Sequence, residues 1–303
     1  MAITAQDVKA LREMTGVGMM DCKKALAASD GDMDKAVEWL REKGLAASAK
    51  KAGRIAAEGM AYAGVIDGVG VVVEVNAETD FVGKNEKFVD FVKGVAATVA
   101  ACAPADLDAL MECKYNGTDL TVTQQQQEMV LVIGENIKVR RFARFAEDTS
   151  VPYIHAGGKI GVLVNLEVTG SIDVTEVGKD MAMQIAALNP RFLDKSQVTQ
   201  DVLDEEKKIL LAQMDNDPKM VSKPAQVKEK IVEGKLNKFY AENCLLQQSF
   251  VKDGDVTVEQ YMNAAAKKLG GTIVLKNAVR FEKGEGIEKK QENFAEEIAK
   301  LAQ

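Results

Sequence analysis

The chain has 303 residues, of which 47% are hydrophobic and 28% charged, and its formal net charge is -7 at pH 7. This length allows two or more domains with their own cores, and the acidic balance argues against a dedicated nucleic-acid binder, which normally carries a basic face. No apolar run approaches the roughly 20 residues of a membrane-spanning helix, and the N-terminus resembles neither a signal peptide nor a transit peptide. We therefore expect a cytoplasmic protein with no membrane or nucleic-acid partner.

The cysteines show no spacing typical of a disulfide framework or of a metal site. Reduced thiols are the ordinary state in intracellular proteins. We therefore expect free thiols at all four positions, which are Cys22, Cys102, Cys113 and Cys244.

The first 44 residues predict three short helices. In the first, Thr4 followed three residues later by Asp7 is typical of an N-terminal cap. In the second, Met19, Cys22 and Leu26 recur at helical spacing, which predicts that they share one apolar face. A module of this size, without a disulfide or a metal, is near the lower limit for independent folding.

The third helix is predicted to begin after Asp32, a typical capping residue, and to end at Gly44, because glycine commonly terminates helices. The Ala-rich residues 45–59 then predict a separate linker helix with three basic residues. We expect the three-helix module and its linker to occupy residues 1–55.

A loop with the sequence VNAETDFVGKNEKF, residues 75–88, joins a predicted strand to a predicted helix and places Asp80 beside Phe81. Two interpretations are open. Phe81 would pack against the following helix as a hydrophobic staple while Asp80 caps that helix, or both side chains would face a partner. Because caps and staples are common, the residues alone favour the first interpretation.

The rest of the chain contains a diverged duplication. Residues 61–75 match residues 152–166 without gaps at an offset of 91, and each segment predicts a β-hairpin. Residues 134–145 match residues 270–281 at an offset of 136, and each predicts a final strand. An α+β unit of hairpin, helix, further helical sequence and strand is therefore expected twice.

We expect the two units to span residues 56–148 and 149–282. The positions equivalent to the loop, residues 170–173, read GSID and lack an aromatic residue. A staple that the fold requires would be expected in both units, so this difference supports the partner-facing interpretation of Phe81.

The two offsets differ by 45, so the second unit carries an insertion, which we place mainly within residues 190–240. Val202 and Leu203 are each followed by an apolar residue seven positions later, which predicts an amphipathic helix before the turn-like sequence DNDPK. A second amphipathic helix follows this turn. We expect a projecting antiparallel helical hairpin that packs on a second copy of the chain or on a partner.

The sequence lacks the motifs of enzyme chemistry. It has no phosphate-binding loop and no G-x-S-x-G, H-E-x-x-H or C-x-x-C motif. His155 is the only histidine, which excludes a metal site built from several histidines. We expect no catalysis of covalent chemistry, no bound metal and no cofactor.

Arginines alternate with phenylalanines on one predicted strand, as Arg140, Arg141 and Arg144 lie beside Phe142 and Phe145. A basic strand with aromatic residues can bind RNA. The ordinary interpretation is a half-buried strand with arginines towards solvent and phenylalanines towards the core, and the two-faced pattern favours it.

Five segments of the sequence resemble the elongation factor Ts family. In chain order they are LREMTGVGMMDCKKAL (11–26), VNAETDFVGKNEKF (75–88), IGENIKVRRF (133–142), HAGGKIGVLV (155–164) and RFEKGEGIEK (280–289). The resemblance implies an α+β fold with an N-terminal three-helix module like the ubiquitin-associated domain and two duplicated core subdomains with antiparallel sheets. It also implies an inserted antiparallel helical hairpin and a C-terminal helical tail, here residues 283–303.

The resemblance implies a guanine-nucleotide exchange factor of translation elongation that binds elongation factor Tu in its GDP-bound and nucleotide-free forms. Its T-D-F-V loop, here Thr79, Asp80, Phe81 and Val82, would insert near the Mg²⁺ and phosphate site of that partner and promote GDP release. The metal and the nucleotide would belong to the partner. The alternative is a non-catalytic adaptor or chaperone-like binding protein that uses the same N-terminal helices.

The resemblance also extends to residues outside the loop. Met19, Met20 and Lys23 match the partner-binding segment of the N-terminal module, and His155 matches a position near the interface on the second subdomain. By pattern alone, Met19 is equally consistent with the core, and His155 with an ordinary turn residue. The family often has alanine where this chain has Gly83, and we expect this glycine to loosen the loop at small cost.

Overall fold

A computed structural model describes residues 3–217, 219–220 and 223–288. The described residues form ten α-helices and eight β-strands, which confirms the α+β class. The helices are α1 (Ala5–Thr15), α2 (Met19–Ala28), α3 (Met33–Lys51), α4 (Glu86–Cys102), α5 (Leu107–Glu112), α6 (Val122–Ile133), α7 (Thr175–Leu188), α8 (Gln200–Asp215), α9 (Ala225–Asn243) and α10 (Val258–Leu269). The strands are β1 (Glu58–Ile66), β2 (Val69–Ala77), β3 (Lys138–Phe145), β4 (Thr149–His155), β5 (Ile160–Thr169), β6 (Ser249–Phe250), β7 (Asp253–Thr257) and β8 (Thr272–Glu282).

The N-terminal module consists of α1, α2 and α3, which close around a small apolar core. The predicted caps are confirmed, because Thr4 and Asp7 form a reciprocal capping box and Asp32 accepts a hydrogen bond from the Lys35 amide. Leu11 and Leu26 are fully buried. By pattern alone, Met19 was equally consistent with the core and with a partner-facing surface, and the structure excludes the core because its side chain is 56% exposed.

The third helix does not end at Gly44. It continues to Lys51, so part of the expected separate linker helix is the last turns of α3. Helix α3 packs on α6, and a Cβ atom at position 44 would lie 3.4 Å from the carbonyl oxygen of Gln127. Gly44 therefore allows two helices to approach closely, a use of glycine that helix-ending rules do not consider.

The duplication predicted from the sequence is confirmed as two copies of one α+β unit. In the first copy, the antiparallel sheet β1-β2-β3 packs on α4, α5 and α6. In the second copy, the antiparallel sheet β4-β5-β8 packs on α7 and α10. The strand register shifts directly after Glu74 in β2 and after Asn165 in β5, two positions that are 91 residues apart. The copies therefore share even the irregularity of their central strand.

The two sheets pack against each other and approach most closely where Ala61 meets Gly161. Ala61 on β1 is fully buried beside Leu163 on β5, and a Cβ atom at Gly161 would lie 3.0 Å from the carbonyl oxygen of Ala61. The Ala61 amide donates a hydrogen bond of 2.8 Å to the carbonyl of Gly158, in the turn between β4 and β5. The start of β1 is therefore tied to this turn.

The insertion in the second copy lies between α7 and α10 and forms the predicted antiparallel helical hairpin, α8 and α9. Leu210 and Met214 on α8 pack with Val232 on α9. Further apolar side chains on these helices remain exposed, among them Ile209 and Val227. The hairpin thus has a closed inner face and a partly apolar outer face.

A buried carboxylate joins the last described residues to the first copy. Glu74 is fully buried and forms salt bridges with Arg140 and Arg141, while the Gly284 amide donates a hydrogen bond of 2.8 Å to it. Arg141 also pairs with Glu285 at 2.9 Å. These contacts attach the segment after β8 to the sheet of the first copy. Residues 289–303, which contain most of the predicted C-terminal helical tail, lie outside the described residues.

The expectation of four free thiols was wrong. Cys102 at the end of α4 and Cys113 after α5 form a disulfide, whereas Cys22 and Cys244 are buried free thiols. The short helix α5 leads the chain back towards the end of α4, so that the Cα atoms of Cys102 and Cys113 are 6.6 Å apart. The 11-residue separation of the two cysteines in the sequence does not by itself predict that the chain folds back in this way.

Within the part of the chain that the structure describes, no helix is both long and apolar enough to cross a membrane.

Candidate partner-binding site

The loop between β2 and α4 exposes one large apolar side chain. Strand β2 ends at Ala77, a short 3₁₀ turn covers Val82–Lys84, and α4 begins at Glu86. Phe81 is 81% exposed, whereas Val82 is buried in the core of the first copy. The apolar residue that fastens the loop to the body is therefore Val82, and the staple interpretation of Phe81 was wrong.

Asp80 does not cap the following helix. Asn85 occupies the capping position, and its side-chain oxygen accepts a hydrogen bond of 3.0 Å from the Lys87 amide. Among the described residues, nothing donates a hydrogen bond or forms a salt bridge to the exposed carboxylate of Asp80. Asp80 and Phe81 thus present a free charge and a free aromatic ring side by side.

Gly83 does not loosen this loop. It is buried, and a Cβ atom at this position would lie 2.8 Å from the carbonyl oxygen of Gly59 on β1. The missing side chain allows the 3₁₀ turn to pack directly against the strand.

Two glutamates hold the beginning of the loop. Glu135 accepts hydrogen bonds from both the amide (2.9 Å) and the hydroxyl group (2.6 Å) of Thr79. Glu78 accepts a hydrogen bond of 2.6 Å from the Asn136 amide and pairs with Arg54 at 3.4 Å. The side chain of Asn136 in turn donates to the carbonyl of Arg54. The loop is therefore fixed to the turn after α6 and to the segment that follows α3.

The ammonium group of Lys51 interacts electrostatically with the two glutamates that hold the loop. Burial, followed by the repulsion of Arg54, lowers the pKa of the Lys51 ammonium group, while Glu78 and Glu135 oppose this effect. Lys51 therefore lies within the field of both carboxylates, at the end of α3.

The N-terminal module presents exposed methionines next to this loop. Met19 is 56% and Met20 66% exposed, and Lys23, one turn later on α2, is also exposed. The turn before α2 is attached to the start of α4, because the Lys87 ammonium group donates a hydrogen bond of 3.2 Å to the carbonyl of Gly16. The first turn of α2 therefore follows one partner of the Gly16–Lys87 hydrogen bond, and the Phe81 loop precedes the other.

A second link between the module and the loop runs through α6. Val132 lines the shallow cleft that contains Phe81 and also the cleft between the N-terminal module and α6. Val132 thus lies between the loop and the module, and we call the exposed predicted residues on either side of it the loop–module surface: Asp80, Phe81, Met19, Met20 and Lys23. The other two predicted loop residues face the protein, because Val82 is buried and Thr79 is bound to Glu135.

Comparison with known proteins identifies the family. The family model described as "Elongation factor TS" matches residues 78–285. The chain is 50% identical to elongation factor Ts of Clostridium perfringens over 304 residues, which covers 99% of both chains. It is 49% identical to elongation factor Ts of Trichlorobacter lovleyi over 312 residues, covering 100% of this chain and 99% of the relative, and 49% identical to elongation factor Ts of Clostridium kluyveri, covering 98% of both. The chain belongs to the elongation factor Ts family. As a member, it is a translation factor that acts in the elongation phase of protein biosynthesis.

His155 lies at the end of β4 and is exposed, with its Nδ1 atom 3.0 Å from the hydroxyl oxygen of Tyr153. Its turn contacts the start of β1 through Gly158, and the loop contacts the same part of that strand through Gly83. In this member of the elongation factor Ts family, the turn of His155 and the Phe81 loop therefore abut one strand end, although no direct contact joins the two side chains.

The arginines on β3 are used inside the molecule. Arg140 and Arg141 bind Glu74, and Arg144 donates to the carbonyl of Ala100 near the end of α4. The guanidinium group of Arg141 also lies 4.3 Å from the ring centre of Phe281. The prediction that these arginines face solvent was thus wrong. A buried carboxylate on the neighbouring strand binds Arg140 and Arg141, and a backbone carbonyl on α4 binds Arg144.

Sequence reasoning missed Glu135 and Lys87 as parts of the site. Glu135 stands in the segment IGENIKVRRF, which carries the family resemblance, but the loop it binds is 56 residues away in the chain. Neither periodicity nor capping rules connect such distant segments. Within the described residues, no group of three or more histidine, cysteine, aspartate or glutamate side chains is arranged to hold a metal ion.

Proposed function

We propose that this protein binds elongation factor Tu in its GDP-bound and nucleotide-free forms and promotes GDP release as a guanine-nucleotide exchange factor. The loop of Thr79, Asp80, Phe81 and Val82 inserts near the Mg²⁺ and phosphate site of the partner. Membership of the elongation factor Ts family supports the choice of partner. The single observation that carries the proposal is the 81% exposure of Phe81 on a loop that is fastened on both sides.

The exposed ring explains how binding energy is directed at the nucleotide site. Aromatic side chains bury 150–250 Å² each and dominate the energetics of many interfaces. Leaving such a ring in water is unfavourable for the free protein, so its burial in a partner contributes to affinity. A ring that inserts beside the Mg²⁺ ion displaces the partner groups that hold GDP, and the neighbouring Asp80 competes for groups that otherwise serve the metal or the phosphates.

Thermodynamic linkage connects insertion to exchange. If the protein binds nucleotide-free Tu more tightly than GDP-bound Tu, it must weaken GDP binding by the same factor. Only contacts that differ between the two states achieve this. The loop supplies such contacts, whereas Met19, Met20, Lys23 and His155 bind surfaces that change little and provide affinity for both states.

The experiment measures release of a fluorescent GDP analogue from elongation factor Tu, with and without this protein and with the variant Phe81→Ala. The wild type is expected to accelerate release strongly. Truncating a buried aromatic anchor costs about 2 kcal/mol or more, so the variant should be slower by roughly thirtyfold. Val65→Ser, which alters an exposed apolar residue in the β1–β2 hairpin away from the loop, serves as the matched control.

Each outcome has a clear meaning. Equal acceleration by wild type and Phe81→Ala would keep the exchange function but remove the loop from its mechanism. Binding without acceleration by the wild type would contradict the exchange function and favour the non-catalytic adaptor or chaperone-like protein.

For the helical hairpin we propose a role in association between copies of the chain, based on its partly apolar outer face. Ile209 and Val227 are 46% and 40% exposed. Deleting residues 195–235 is expected to lower the mass of the complex measured by light scattering. An unchanged mass together with unchanged partner affinity would remove this role.

A further inference from the structure

The two donor groups of Thr79 are both committed to one carboxylate. The amide donates to Oε2 of Glu135 and the hydroxyl group to Oε1, at 2.9 and 2.6 Å. Hydrogen bonds to an ionised acceptor are stronger than neutral ones. Thr79 therefore faces the body of the protein in the free state, and the residues that remain free for a partner are Asp80 and Phe81.

The position of the Glu135 carboxylate is set by the turn that follows α6. Helix α6 ends at Ile133, and the next residue, Gly134, turns the chain in a left-handed conformation (φ 88°). Glu135 follows directly, and Asn136 is buried, with its amide bound to Glu78 and its side chain bound to the carbonyl of Arg54. Glu135 is thus a half-buried residue in a turn held by hydrogen bonds, and it contacts the loop at the residue before Asp80.

The second copy lacks this arrangement. Position 271, equivalent to Glu135 at the offset of 136, is glycine, and position 170, equivalent to Thr79 at the offset of 91, is also glycine. There the chain closes through the hydroxyl groups of Thr169 and Thr272, 2.5 Å apart. Ile172, equivalent to Phe81, packs on the core of the second copy. The carboxylate anchor thus occurs in the copy that exposes an aromatic ring and is absent from the copy whose equivalent side chain, Ile172, is half-buried against the core.

From this pairing we infer that Glu135 is a positioning residue for exchange, because it holds Thr79 so that Phe81 stays directed outwards before the partner arrives. The inference rests on the proposed function of the loop. Fixing the backbone of a residue costs about 1–2 kcal/mol, and a loop that is ordered in advance avoids this cost when it inserts. Without Glu135 the ring, which is 81% exposed, would be free to pack more closely against Val132 and Ile133, which line the same shallow cleft.

The first test uses the free protein. Amide hydrogen exchange of the peptide that contains residues 78–84 is compared between wild type, Glu135→Ala and Glu135→Gln. The Thr79 amide should exchange at least about tenfold faster in Glu135→Ala, because a charge-assisted hydrogen bond is lost. Glu135→Gln retains one acceptor oxygen and should lie between the two. Thr169→Ala, at the closure of the second copy, is the matched control and should leave this peptide unchanged.

The second test measures GDP-analogue release from elongation factor Tu as a function of protein concentration. Glu135→Ala is expected to lower the maximal rate about tenfold while the concentration for half-maximal rate changes less than about threefold, because docking of the N-terminal module is intact. Thr79→Val removes the hydroxyl donor and Thr79→Ser keeps it, so the serine variant should retain a higher maximal rate than the valine variant. The double variant Glu135→Ala/Thr79→Val should be no slower than Glu135→Ala alone.

Failure of this inference and failure of the proposed function give different results. Unchanged hydrogen exchange in Glu135→Ala, or a maximal rate equal to that of an accelerating wild type, would overturn the positioning role. Faster hydrogen exchange in a protein whose wild type does not accelerate GDP release would support the anchor and reject the exchange function. If Glu135→Ala failed to fold, Glu135→Gln and Thr79→Val would carry the comparison.

Discussion

Apart from the inserted hairpin α8–α9, the two copies of the α+β unit differ where the β-hairpin passes into its first helix. In the first copy Phe81 points into solvent, and in the second the equivalent Ile172 packs on the core. Both copies share the three-stranded antiparallel sheet and the register shift after Glu74 or Asn165 in its central strand. The sheet framework is thus common to both copies, and the exposure of an aromatic ring in the first copy depends on a short connection and on the glutamate that holds it.

The side chain at the register shift of the central strand has different partners in the two copies. Glu74 in the first copy receives two arginines and the Gly284 amide, which attaches the segment after β8. Asn165 in the second copy is also buried, and its side-chain amide donates to the carbonyl of Glu147 and to Ser150. One copy uses the position to join distant segments, and the other uses it to close its own hairpin.

The largest expected effect contrasts two aromatic residues that lie seven positions apart. Phe88→Ala removes a fully buried side chain and should lower the free energy of unfolding by about 3–5 kcal/mol. Phe81→Ala should change it by less than about 0.5 kcal/mol, because the ring is 81% exposed. Urea denaturation of both variants checks this. A large loss of stability in Phe81→Ala would show that the ring packs on the protein and would remove the contrast with Ile172.

The next effect concerns the buried carboxylate. Glu74→Gln removes the negative charge that Arg140 and Arg141 share and should cost about 2–4 kcal/mol, less than a fully buried pair because both arginines are partly exposed. Asn165→Ala, at the equivalent position, should cost about 1–3 kcal/mol. Denaturant unfolding measures the free energy of unfolding of both variants. Equal losses would show that the charge of Glu74 stabilises this position of the strand no more than the neutral side chain of Asn165 does.

The same glutamate predicts a response to acid. Burial by itself raises the pKa of Glu74, but hydrogen bonds from Gly284, Asn76 and the two arginines outweigh it and hold the pKa below its ordinary value. The stabilisation is therefore present above the unfolded pKa of about 4.3 and is lost as the pH falls through the lower folded value. Wild type should lose stability below about pH 4.5 more steeply than Glu74→Gln, and parallel curves would contradict this.

Local patterns were sufficient to predict most of the fold. The capping box at Thr4, the duplicated hairpins and the inserted helical hairpin each follow from residues close together in the chain. The end of α3 was not predictable in this way, because Gly44 serves the contact with Gln127 on another helix. Patterns report what a segment prefers, whereas such contacts depend on partners far away in the sequence.

The site was predicted in part for the same reason. Phe81 and Asp80 were singled out by the family resemblance and by the missing aromatic in the second copy. Their exposure depends on Val82 and Asn85, which take over the staple and the cap. Glu135 is 56 residues from Thr79, and only the assembled fold places its carboxylate at the loop.

A smaller effect concerns the module side of the loop–module surface. Met20→Ser replaces a 66% exposed side chain and should leave stability unchanged while weakening binding to elongation factor Tu about five- to thirtyfold. Val65→Ser in the β1–β2 hairpin is the control and should bind like wild type. Titration with labelled partner measures both variants, and equal affinities would confine the interface to the loop.

The smallest expected effect is at His155, in the second copy. The side chain is exposed and contacts Tyr153, and its turn abuts the strand that supports Gly83. If it contributes one polar contact at the rim of the interface, His155→Ala should weaken binding by less than about fivefold, because rim contacts contribute little. Tyr153→Phe removes the hydroxyl group that contacts the imidazole and should have a similar or smaller effect. A loss of affinity as large as that measured for Phe81→Ala would show that the second copy also carries a main contact with the partner. The idea that only the first copy carries such a contact would then be wrong.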